Sequence, residues 1–102
     1  MATATAEMLH KPLTSLSKVH MTYWNYRVLM RHDTIEGEIY EIHEVYYDEN
    51  GDISMWTEHP AELSEGSVED LRDTLKHMLD ALRKPPLREV LQDGKEQLVP
   101  LE

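Results

Sequence analysis

Asn50-Gly51 sits between two runs of strand-forming residues, and that placement limits the fold more than any other feature of the chain. Both residues tolerate positive φ at little cost, so Asn-Gly in this setting marks a tight β-hairpin. Two registers fit Asp48-Glu49-Asn50-Gly51-Asp52. A two-residue loop pairs Glu49 with Asp52. A type I turn with Gly51 in a bulge pairs Asp48 with Asp52, setting Tyr47 beside Ile53 and Val45 beside Met55. The second is preferred because it collects apolar residues on one face.

The run before the turn, Glu38 to Tyr47, is rich in β-branched and aromatic residues. The run after it extends from Ile53 to about Glu58, where Pro60 and the polar segment 62–66 end it. Upstream, Trp24, Tyr26, Val28 and Met30 alternate with Asn25, Arg27 and Leu29, which predicts a further strand ending in a turn at Asp33–Gly37. On the second strand, Tyr40, Ile42 and Tyr46 point one way while Ile39, Val45 and Tyr47 point the other.

Val68, Leu71, Leu75, Met78, Leu79 and Leu82 form one stripe of a 3.6-residue period and predict an amphipathic helix. Ser67 is a natural N-cap, Glu69 and Asp70 complement the dipole at the first turn, and Arg83 and Lys84 stand at the other end before Pro85-Pro86 stops it. Six such side chains, fully buried, contribute roughly 9–18 kcal/mol before the entropy of ordering is subtracted. The expectation is that this stripe docks on the sheet.

The fold class expected is therefore α+β: a three-stranded antiparallel sheet (β-β-β) followed by one amphipathic helix packed on one face. Residues 1–20, broken at Lys11-Pro12 and without a sustained period, read as a flexible arm. Residues 21–88 read as the single domain. Residues 89–102 read as a tail, open to being a short helix, an edge strand or neither. One helix covers one face of a sheet, so large residues remain on the strands for another surface. Tyr40, Ile42, Tyr46 and Trp56 are the residues expected to form such an interaction face.

Twenty acids against ten Lys and Arg give a net charge of −10, and the interval between Arg31 and Arg72 holds thirteen acids and no Lys or Arg. A phosphate backbone is repelled by such a surface, so nucleic acid is not expected as a partner. No run approaches the length of a membrane span, and the first residues lack the basic and apolar regions of a secretory signal. With no cysteine in the chain, the expected location is the cytoplasm.

Chemistry has few footholds. Counted from Asp48, a calcium loop needs Gly at its sixth position and Glu at its twelfth; Ile53 and His59 stand there instead. Glu41, His43 and Glu44, with His59 on the neighbouring strand, are the residues most suited to a metal, but no His-Glu-x-x-His or second compact pair accompanies them. None of the serines has a Gly-x-Ser-x-Gly setting, and the four glycines are isolated. No catalytic residue, cofactor or resident metal is expected.

Trp24-Asn25-Tyr26-Arg27-Val28, Tyr40 to Gly51, Trp56-Thr57-Glu58-His59-Pro60 and the helix from Ser67 to Leu82 together resemble a small family of uncharacterised bacterial proteins over roughly residues 22–87. In topology, strands leading through a short Gly-Ser link to an amphipathic helix also resemble the domain of HicB-type antitoxins, without the appended DNA-binding segment. The first resemblance implies no activity; the second implies an antitoxin-like role for this chain, bound to a basic partner protein. Three functions follow in order: a non-catalytic protein-interaction or dimerisation domain, an acidic inhibitor of a basic partner, and a small metal-dependent enzyme.

Overall fold

The computed structural model describes residues 23–101, so the expected arm over residues 1–20 lies outside the described residues. Six elements follow one another: β1 (Tyr23–Asp33), β2 (Gly37–Tyr47), β3 (Ile53–Trp56), α1 (Val68–Ala81), β4 (Leu87–Gln92) and β5 (Lys95–Pro100). The class is α+β with one helix. The sheet, however, is five-stranded and mixed, in the order β3-β2-β1-β4-β5, and not the three-stranded antiparallel sheet expected. Asp93-Gly94 makes the difference. Both residues take left-handed conformations (φ 53° and 76°), the geometry of a two-residue hairpin turn, and fold β4 onto β5. β4 then joins β1 in parallel through Leu29–Leu87 and Met30–Arg88. Because β3 and β4 run in the same direction, a crossover must link them, and α1 lies within it.

The two hairpins before the helix form for local reasons. β1 and β2 pair without interruption from Tyr23–Tyr47 to Asp33–Gly37. At their turn, Asp33 Oδ1 accepts from the backbone N–H of Ile35 (2.7 Å) and Glu36 (3.0 Å), and these bonds hold the Asp33 carboxyl below its ordinary range. Between β2 and β3, Asp48 N–H donates to Asp52 O (2.9 Å), and Gly51 takes φ 84°, as the bulged type I turn requires. Tyr47 opposes Ile53 as expected. A bulge follows: Ser54 is inserted, so Met55 opposes Tyr46, and Trp56 opposes Val45 where Met55 was expected.

Ser67 caps α1, its Oγ accepting from Asp70 N–H at 3.1 Å. Of the expected stripe only Met78 is buried. Thr74, Met78 and Ala81 face the sheet, whereas Val68, Leu75, Leu79 and Leu82 are exposed, and Leu71 is intermediate. The helix is thus turned by about 80° from the sequence-based orientation, at 3.6 residues per turn. Ala81 explains part of this, since its small side chain lets the backbone approach Tyr26 and Val28 on β1. Thr74 adds a polar anchor, its hydroxyl donating to Glu65 Oε2 at 3.0 Å.

The face of the sheet away from α1 has no covering layer among the described residues, yet Leu29, Val45, Tyr47, Trp56, Leu87 and Leu98 are buried there. The sheet curls over this face without closing, since no pairing joins β3 to β5. Trp56 Nε1 on β3 donates to Glu89 Oε1 on β4 at 3.0 Å, although β2 and β1 lie between them. In a flat sheet those strands stand roughly 14 Å apart, the limit of what the two side chains span at full stretch, so the bond favours a curled sheet. Arg27 fastens the same face, donating from Nη1 to Tyr47 Oη (3.2 Å) and from Nη2 to the Pro85 carbonyl (2.9 Å).

Candidate functional site

Strand alternation divides the residues suited to a metal. Glu41 and His43 lie on the curled face of β2, Glu44 on the helix-covered face, and His59 is exposed in the loop beyond β3. His43 is buried with both ring nitrogens engaged by oxygen. Nε2 donates to Glu41 Oε1 at 2.9 Å, and Nδ1 lies 2.9 Å from the Thr57 carbonyl and 3.2 Å from its hydroxyl. Arg31 Nη1 reaches Glu41 at 3.3 Å. Threonine, histidine and glutamate in series have the outline of a proton relay. Thr57, however, has no exposed surface, and its hydroxyl accepts from Glu44 N–H at 3.3 Å, so no substrate reaches the oxygen that would have to attack. The network ties β2 to the chain leaving β3. Among the described residues no group of three or more His, Asp or Glu side chains is arranged to hold a metal ion.

A second polar cluster lies under α1. Glu44 is buried, and its Oε1 accepts from Tyr46 Oη at 2.6 Å. Burial raises the carboxyl above its ordinary value, partly offset by the tyrosine bond. Burial, then the charges of Glu44 and Glu65, pushes the neighbouring Tyr26 hydroxyl up to about 12. Tyr46 moves in the same direction for the same main reason. Both phenols are neutral at physiological pH, as ordinary tyrosines are, and burial works against the charge on Glu44.

The four residues expected to form an interaction face are separated. Tyr40, Ile42 and Tyr46 lie on the helix side of the sheet and Trp56 on the curled side. Tyr46 and Trp56 are buried, Ile42 is intermediate, and Tyr40 is exposed. An apolar row instead runs along one flank of α1, where Val68, Leu75, Leu79 and Leu82 retain 69, 53, 55 and 62% of their accessible area. Sequence reasoning named these residues but assigned them to the core. A signal was present: with Thr74 and Ala81 included, the nonpolar and small residues span about 160° of the helix, more than a single strand beneath it covers. No helix among the described residues is long and apolar enough to cross a membrane. No protein-family model matches this chain, and searches of curated proteins and of solved structures return no match.

Proposed function

We propose that this chain is a non-catalytic protein-interaction domain and that the apolar stripe on the flank of α1 is its docking surface. The observation that carries the reading is the exposure of Val68, Leu75, Leu79 and Leu82 along one side of a capped, sheet-anchored helix. Four large aliphatic side chains in a row expose on the order of 400 Å² of apolar surface, the size at which a patch on a small protein marks a contact site. The histidine network supports the non-catalytic part, because its hydroxyl and imidazole are buried and occupied by structural hydrogen bonds.

Site-specific photo-crosslinking in living cells tests this. A photoreactive residue replacing Leu79 should form covalent adducts with a polypeptide, and the same residue replacing the exposed Glu62 should form far fewer. Equal labelling from the two positions would reject the stripe as a docking surface.

A further inference from the structure

Resting on that reading, we propose that the stripe is occupied by α1 of a second copy of this chain, packed antiparallel about a two-fold axis at Leu75. Val68, Leu71, Leu75, Leu79 and Leu82 are spaced 3, 4, 4 and 3 residues apart, so the row reads the same from both ends. A two-fold contact requires a patch that complements itself after a half-turn, and a palindromic row on one helix meets that requirement. Leu75 then meets its own copy, Leu71 meets Leu79 of the second copy, and Val68 meets Leu82 of the second copy.

Charge favours the same direction. The first half of the helix carries Glu69, Asp70 and Asp73 against Arg72; Lys76, Arg83 and Lys84 against Asp80 follow in the second half and just beyond it. Antiparallel packing lays the acidic half on the basic half and opposes the helix dipoles, whereas parallel packing lays like on like. At each end Arg83 comes within reach of Glu69 of the second copy. Arg83 also lies 3.7 Å from Asp80 in its own chain, an exposed pair that competes weakly. Near the axis Arg72 approaches Lys76 of the second copy, an unfavourable contact. About 400 Å² from each copy, roughly 800 Å² together before the flanking side chains are added, is less than stable specific interfaces bury, so the pair is weak, reversible and dependent on concentration.

Sedimentation velocity of the full chain across the micromolar range should show the mass rising from 11.9 kDa toward twice that value. Leu75→Glu sets two carboxylates against each other at the axis and should weaken the pair about 30-fold or more, with circular dichroism confirming that the exposed substitution leaves the fold intact. Arg72→Glu should tighten it about fivefold by turning the unfavourable contact into an attraction. Because the chain lacks cysteine, thiol cross-linking with a bis-maleimide of about 10 Å reach reads the direction cleanly. Glu69→Cys with Arg83→Cys should cross-link two chains, and Glu69→Cys alone should not, its two copies standing roughly 18 Å apart along the axes. A one-chain mass at every concentration overturns the pairing; if Leu79 still cross-links to another protein, the docking surface survives that result. Weakening by Arg72→Glu, or trapping by Glu69→Cys alone, overturns the antiparallel arrangement.

Discussion

Trp56→Phe tests whether the curl of the sheet rests on the bond between β3 and β4. Two quantities are lost. The indole N–H no longer donates to Glu89 Oε1, and a hydrogen bond to a charged acceptor contributes about 1.5–3 kcal/mol. The ring also loses about 40 Å² of buried apolar surface, or about 1 kcal/mol at 25 cal/mol per Å². The total, about 3 kcal/mol, is a large share of the 5–15 kcal/mol typical of a small domain. Urea unfolding followed by far-ultraviolet circular dichroism measures it without relying on the removed fluorophore. A double-mutant cycle with Glu89→Ala separates the bond from the packing, with a coupling energy of about 1.5 kcal/mol expected for side chains in direct contact. A coupling below about 0.5 kcal/mol would show that the two strand ends are held together by something other than this bond.

The remaining predictions concern the covered face and the turns. Glu44 is expected to make stability fall with rising pH: its folded carboxyl titrates above the ordinary 4.5, so its stabilising contribution is complete below that value and lost as pH climbs through the raised one. Glu44→Gln keeps an acceptor for Tyr46 and should flatten that decline in stepwise-pH thermal melts; equal slopes in the two proteins would refute the assignment. Tyr46→Phe removes the donor to a buried carboxylate and should cost about 1–3 kcal/mol in urea unfolding at neutral pH. Ala81→Leu forces α1 away from Tyr26 and Val28 and should cost about 1–3 kcal/mol in the same assay, whereas a neutral result would mean that the helix does not approach β1 closely there. Gly51→Ala meets no atom within 4 Å, so only the left-handed backbone opposes it, at about 1–2 kcal/mol.

What the sequence shows plainly is what neighbouring residues decide among themselves. Asn50-Gly51 specifies its turn, Ser67 its cap, and the alternation at 24–30 its strand, because each depends on groups within a few residues. The Ser54 bulge is harder to read, since a single inserted residue changes which partners meet without changing the pattern of either strand. Asp93-Gly94 was as readable as Asn50-Gly51, but its flanks, Leu87, Val90 and Leu91 on one side and Leu98 and Val99 on the other, are sparsely apolar. The parallel pairing of Leu87 with Leu29 joins positions 58 residues apart and leaves no local trace. The helix stripe misleads for a different reason. Periodicity shows that one side is apolar, and it does not say whether the sheet or another protein covers that side. Likewise, alternation separated Tyr46 from Tyr47 correctly, while the bond of Tyr46 to the buried Glu44 and its contact with the Trp24 ring are not visible in that pattern.

The seam between β1 and β4 consists of two residue pairs, against eleven between β1 and β2. Backbone pairing is therefore far more extensive on one side of β1 than on the other. On one side lies a three-strand meander whose contacts are local; on the other, a hairpin that returns across the helix to place Leu87 and Leu98 in the core shared with the meander. Amides of β4 and β5 should exchange with solvent through a partial opening that leaves the meander intact, at a lower free energy than complete unfolding. Each such opening would bare Leu29 and Val45, so the β4–β5 hairpin would govern how often the hidden side of the sheet meets water.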